Sequence, residues 1–326
     1  MRQTVYYMNY KVHIFYIFYI FYIGHNFAVA SLGFTGSADH VTLVQILGGN
    51  TGTQIEALER DLRIDYRTVR TAQQTRTCTT CIDAGSITEL VGTSDAMDPE
   101  AAAEFEALAL DLLHSSASSP PRALALCGTF PPGLGSDAVA RVVSATTRST
   151  NYKPLVFVDA VKDIGLVLTT KCVDVLKINS AEAVSLASVC DPPLDTREAR
   201  AAATYLANRF SIGIVAVTDG PGAAYLVDSS DGTCYELHVP DLLEDREYFL
   251  GGGTRTGDML NPIGAGDTCS AVMVNSLLDG MAAVDAFALG LAAASASCLV
   301  LVPNCVFDLD VMQRIRGKIV ITKLVT

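Results

Sequence analysis

An α/β fold follows from three observations. Short apolar runs recur along the chain, separated by stretches of helical length and spacing. The runs are continuous rather than alternating, the pattern of strands covered on both faces. Strand and helix also alternate in order, which implies a mainly parallel central sheet between two helical layers.

The elements can be taken in order from residue 24. Residues 41–47 read as an apolar strand closed by Gly48-Gly49-Asn50, and 53–62 have helical spacing. Residues 75–83 and 87–92 read as two strands about a tight turn at Ala84-Gly85-Ser86, a hairpin signal. This pair breaks the strand–helix rhythm and reads as a small β lid. A helix follows over 99–113, with Pro99 near its start, where proline is tolerated. Next come a strand at 123–127, a helix at 136–148, and strands at 155–158 and 173–178. Helices at 181–189 and 197–209, strands at 213–218 and 224–227, and helices at 267–279 and 283–298 complete the series.

With 326 residues, the chain fits one large domain with a small accessory unit. Its formal net charge of −12 argues against nucleic acid and anionic membranes as partners. Nucleotides remain within reach, because local N–H groups and metal ions bind them. The nine cysteines are scattered, and only Cys78 and Cys81 form a Cys-x-x-Cys. Positions three apart on a strand face opposite sides, which argues against a redox or zinc pair. Reduced thiols point to the cytoplasm.

Residues 261–270, Asn-Pro-Ile-Gly-Ala-Gly-Asp-Thr-Cys-Ser, precede an apolar helical run. Gly264, Ala265 and Gly266 then sit at a helix N-terminus, where free N–H groups favour an oxyanion. Asp267 lies beside that anion, in place to act as a base for a hydroxyl. Anion cradle plus base is what phosphoryl transfer to an alcohol requires. A plain turn, with Asp267 as helix N-cap, is the other reading of these residues.

Three more motifs follow strands, where ligands bind in open α/β sheets. Lys177-Ile-Asn179-Ser-Ala-Glu182 offers a cation, an amide and a carboxylate. Glu182 could hold Mg²⁺ through water, or close a capping box with Asn179 as the cap. Thr218-Asp-Gly220-Pro-Gly222 could admit a nucleotide against its glycines or be a hairpin turn. Cys127-Gly128-Thr-Phe-Pro-Pro-Gly133 is a loop stiffened by two prolines.

Taken together and in this order, the four motifs resemble the PfkB carbohydrate kinase family. That family has a ribokinase-like three-layer α/β/α sandwich with a β lid. The resemblance is nearest the branch containing 1-phosphofructokinase and tagatose-6-phosphate kinase, and runs from Gly24 to about Asp308. It implies an ATP- and Mg²⁺-dependent sugar or sugar-phosphate kinase over residues 24–326. Asp267 would be the catalytic base, and Gly264, Ala265 and Gly266 the anion hole. Lys177, Asn179, Thr218, Gly220 and Gly222 would serve the nucleotide, and Glu182 the Mg²⁺. Asn26, Gly128 and the lid residue Arg76 would serve the sugar, with Arg76 toward a substrate phosphate. Whether the lid pairs two copies in a homodimer stays open.

The chain departs from this pattern at one point. The family's first signature is Gly-Gly-Lys-Gly-x-Asn, of which Gly24-His25-Asn26 remains, with Ile23 at the lysine position. Residues 15–23 repeat Phe-Tyr-Ile three times. Arg2 and Lys11 before the repeat suit a signal peptide, but no small-residue cleavage site follows. The run is shorter than the ~20 residues of a membrane span. Its composition would also suit a buried β-strand. The expectation is that residues 1–23 are non-native sequence from translated intron, replacing the family's first strand. An unpaired apolar sheet edge would result. The alternative function is then a catalytically impaired nucleotide-binding homologue.

Overall fold

The computed structural model describes residues 17–19, 23–83, 86–114, 121–147, 152–244, 260–300 and 305–324. The chain opens with β1 (Ile17–Tyr19), α1 (Ile23–Thr35), β2 (Thr42–Leu47), α2 (Gly49–Asp61) and β3 (Asp65–Arg70). A separate antiparallel pair follows, β4 (Cys78–Asp83) and β5 (Ser86–Val91). It coincides with the expected lid, although Ala84 and Gly85 of the turn lie outside the described residues. Then come α3 (Pro99–His114), β6 (Ala123–Cys127), α4 (Ser136–Ala145), β7 (Leu155–Asp159), α5 (Gly165–Thr169) and β8 (Val175–Asn179). After α6 (Ser180–Ser188) and α7 (Ala199–Phe210), β9 (Ile214–Thr218), β10 (Ala224–Asp228) and β11 (Thr233–His238) run in succession. The described chain closes with α8 (Ala265–Leu278), α9 (Ala283–Cys298), α10 (Leu309–Arg316) and β12 (Val320–Leu324).

Ten strands form one sheet in the order β12-β11-β10-β9-β8-β7-β6-β1-β2-β3. From β3 to β9 every pairing is parallel. β10, β11 and β12 extend it antiparallel. Sequence pattern revealed β2, β6, β7, β8, β9 and β10, but β1, β3, β11 and β12 escaped it. In β3 and β12 exposed positions break the apolar signal: β3 reads Asp-Tyr-Arg-Thr-Val-Arg and buries only Val69 fully.

Strand residues alternate between two cores, as a pleated sheet requires. Val44, Leu124, Leu126, Val156, Val158, Leu176, Ile178, Val215 and Val217 pack toward α3 to α7. Leu43, Ala125, Phe157, Val175 and Ala216 pack toward α1, α8, α9 and α10. Helices therefore cover both faces. α8 packs against both α1 and α9 and is buried over Thr268–Ser276, consistent with its all-round apolar sequence. No helix among the described residues is long and apolar enough to cross a membrane.

The expected open edge beside β2 is corrected. Ile17–Tyr19, inside the aromatic repeat, pair in parallel with both β2 and β6, so the sheet edges are β3 and β12. Residues rich in ring and β-branched side chains suit such a central strand. The rest of the repeat, apart from Ile23 at the start of α1, lies outside the described residues.

Candidate active site

Parallel strands bring their C-terminal ends to one edge of the sheet. Cys127 pairs with Asp159, and Asn179 with Thr218, so four strand-end loops lie along this edge. Gly128 N–H donates to the Asp159 carbonyl at 2.8 Å, fixing the first loop to the second.

The start of α8 delivers the central carboxylate. Gly264 is its N-cap in the left-handed region, with φ of 75°. Asp267 is therefore the third helical residue, and the alternative of Asp267 as N-cap is set aside. Asn26, in the first turn of α1, donates its Nδ2 to Asp267 Oδ2 at 2.8 Å. A Cβ built on Gly264 would fall 2.2 Å from Cys305 Sγ and 3.5 Å from Asn26 Nδ2. The turn thus requires glycine both for its dihedral angle and for space. Cys305 donates its thiol to the Gly264 carbonyl at 3.4 Å. Burial, with Asp267 nearby, pushes this thiol up to about 12, so it stays protonated.

Lys177 on β8 is 3% exposed. Its Nζ lies 2.9 Å from Asp159 Oδ2 and 3.5 Å from a Cβ built on Gly266. Asp159 Oδ2 also accepts from Ser270 Oγ at 2.5 Å. Burial opposes the ammonium charge, but Asp159, Cys269 and Asp267 outweigh it, and its pKa lies above the ordinary lysine value. Loss of hydration pushes Asp267 up to about 7, with Asp159 adding to the rise against the Asn26 hydrogen bond and Lys177. Asp267 as a whole residue is half-buried.

Asn179 and Glu182 form the capping box of α6. Asn179 Oδ1 accepts from Glu182 N–H at 2.9 Å, and Glu182 Oε2 from Asn179 N–H at 2.8 Å. Ser180, between them, donates to Asp219. Gly220, with φ of 54°, and Gly222 shape the turn after β9, which Gly222 N–H closes on Asp219 O at 2.8 Å. Arg76 stands apart at the base of the lid, half-buried, its Cβ against Gly92. Its neighbour Thr75 accepts from Gly48 N–H at 2.9 Å, which ties the lid to the turn after β2.

Sequence reasoning missed Asp159, Ser270 and Cys305. Asp159 was readable as a carboxylate ending an apolar strand. Ser270 lay inside the quoted motif without a role, and Cys305 gave no signal.

The three-layer α/β/α architecture that carries these residues is the ribokinase-like fold. The chain belongs to the pfkB family of carbohydrate kinases, which it matches over residues 25–305. Escherichia coli phosphofructokinase-2 in complex with fructose-6-phosphate is similar at 21% identity and a TM-score of 0.70, covering 94% of this chain and 98% of that one. A possible 1-phosphofructokinase from Thermotoga maritima is 16% identical with a TM-score of 0.71, over 93% and 86% of the two chains. Ribokinase from Thermotoga maritima is 18% identical with a TM-score of 0.60, over 90% and 86%. No curated protein matches the sequence.

Proposed function

We propose that this protein phosphorylates a sugar or sugar phosphate from ATP, in the manner of a 1-phosphofructokinase, in the cytoplasm. The observation that carries this reading is the Asp267 carboxylate, held by Asn26, titrating near 7 and lying beside a glycine-capped helix N-terminus. A base with a pKa near the working pH is suited to take a hydroxyl proton. Ala265 N–H donates to the Pro262 carbonyl at 3.1 Å, so the anion cradle rests first on Gly264 and Gly266, with Lys177 alongside. Asn179, Thr218, Gly220 and Gly222 would line the nucleotide, and Gly128 and Arg76 the sugar.

Mg²⁺ fits the donors present. Glu182 keeps its second carboxylate oxygen beyond the capping box, and Asp219 lies nearby through Ser180. Among the described residues no three His, Cys, Asp or Glu side chains form a cage. That suits an ion held through water and substrate phosphates. Bound there, Mg²⁺ would neutralise charge on the phosphates.

The test is a steady-state kinase assay with Mg·ATP over hexoses and hexose phosphates. Turnover of fructose 1-phosphate above other acceptors is the expected result. ATP binding with no acceptor phosphorylated would instead favour a nucleotide-binding homologue, a reading supported by Ile23 at the lysine position.

A further inference from the structure

α1 and α8 share a second polar contact beyond the one at the site. At the site, Asn26 Nδ2 donates to Asp267 Oδ2 at 2.8 Å. Further along, Asn275 Nδ2 of α8 donates to Ser31 Oγ of α1 at 3.0 Å. The two contacts lie about one and a half turns apart on α1 and about two turns apart on α8, so the helices run in the same direction. Ser31 is 0% exposed and Asn275 2% exposed. Asn275 Nδ2 also donates to the Ala271 carbonyl of its own helix at 2.7 Å, and its Oδ1 has no hydrogen-bond partner among the described residues. The surroundings are apolar: Phe27, Ala28 and Ala30 of α1 belong to one core cluster with Ala271, Val272 and Val274 of α8.

We infer that Ser31 and Asn275 are positioning residues whose hydrogen bond fixes where α1 sits along α8 and so holds Asn26 in reach of Asp267. For its kinetic consequence the inference rests on the proposed role of Asp267; the placement of Asn26 does not depend on that role. Apolar burial is non-directional, and alanine side chains interlock little, so this interface resists a small slide of α1 weakly. The same slide breaks a hydrogen bond: roughly 1 Å takes the 2.8 Å contact of Asn26 beyond bonding range. The contact at the site cannot hold the helix alone. It weakens whenever Asp267 takes up a proton, because an ionised acceptor makes the stronger bond. The Ser31–Asn275 contact carries no titratable group and keeps α1 seated through that change. A buried amide in an apolar interface contributes little net stability, and fixing register is the best-attested use of such a residue.

Three groups act on Asp267 from three elements. Asp159 of β7 raises its pKa, while the hydrogen bond from Asn26 of α1 and the charge of Lys177 of β8 lower it. Cys305, also close by, stays protonated. Loss of the α1 contribution should therefore raise Asp267 further.

Ser31→Ala/Asn275→Leu removes both polar groups and keeps the volume close. Its melting temperature should stay near that of wild type. The midpoint of its kcat–pH profile should move up from about 7 by roughly one pH unit, the equivalent of one hydrogen bond to a charged group. At neutral pH that change lowers kcat about fivefold, with KM for ATP unchanged. Carbon-13 NMR of the Asp267 carboxyl, assigned by its absence from Asp267→Asn, should show the same upward movement without any turnover. Ser31→Ala alone should move both midpoints in the same direction and covers a failure of the double variant to fold. Val274→Ala, a truncation elsewhere on α8, should lower the melting temperature and leave both midpoints in place. An unchanged Asp267 titration in the Ser31 and Asn275 variants, or an equal movement in Val274→Ala, would overturn the inference. Should the protein phosphorylate no sugar, the kinase reading fails separately, and the NMR titration still decides the placement of Asn26.

Discussion

The Asp159 carboxylate at the end of β7 and the Lys177 ammonium in the middle of the neighbouring β8 lie 2.9 Å apart, and Ser270 of α8 donates to the same carboxylate oxygen. Lys177, beside Gly266 at the start of α8, is thus held by a partner on another strand. Asp159→Ala would leave a buried ammonium without its main counter-charge, a change worth ~3–5 kcal/mol for a buried pair. The expected outcome is a clearly lower melting temperature and weaker ATP binding by calorimetry. Unchanged values for both would remove Asp159 from the site.

Asp267→Asn should lower kcat by at least ~10²-fold, the low end for a general base, with little change in ATP affinity. Wild-type kcat should rise through pH 7 as Asp267 loses its proton. Stability moves the other way. A raised carboxyl pKa contributes fully at acid pH, and the contribution is lost as pH rises through the folded value. The variant should therefore be less pH-sensitive in melting temperature between pH 4 and about 7, while remaining inactive.

Gly264→Ala imposes a left-handed dihedral angle on a residue with a Cβ, costing roughly 1–2 kcal/mol, and drives that Cβ into Cys305. We expect a lower melting temperature and a reduced kcat. Adding Cys305→Ala should recover the part due to the clash but not the part due to the dihedral angle. Recovery to wild-type stability would mean that the turn tolerates alanine.

Arg76→Ala should raise KM for a phosphorylated sugar by roughly tenfold, since charge-assisted hydrogen bonds contribute ~1.5–3 kcal/mol. An equal effect on unphosphorylated hexoses would mark Arg76 as a structural residue of the lid.

If residues 1–23 are non-native, spliced message will lack the aromatic repeat, and sequencing the transcript's 5′ end reads this directly. A chain with Gly-Gly-Lys restored before Gly24 should then outperform the present one in a side-by-side assay. Ordinary kinase turnover of ~1–100 s⁻¹ by the chain as it stands would count against that expectation.

Much of this architecture was legible because fully buried strands leave unbroken apolar runs. Leu124 to Cys127 and Val156 to Val158 are such runs, and each was read in place. β3 and β12, at the edges, bury too little to leave a period. The glycine cap of α8 was legible from composition alone. The partnership of Asn26 with Asp267 was not, since 241 residues separate them and only the folded sheet closes that gap. Glu59 was read merely as part of a helix, because helical spacing does not tell a buried glutamate from an exposed one.

The central strand also carries an ambiguity of alignment. Ile17 pairs with Leu43 and Ala125, and Phe18 with Val44 and Leu126, inside a sequence that repeats every three residues. Sliding the strand by three residues puts the same residue type into every slot, so the pairing is only weakly specified. Were more than one alignment populated, the fraction of molecules in the register seen here would bear on the specific activity of a preparation, independently of how well each active molecule performs its chemistry.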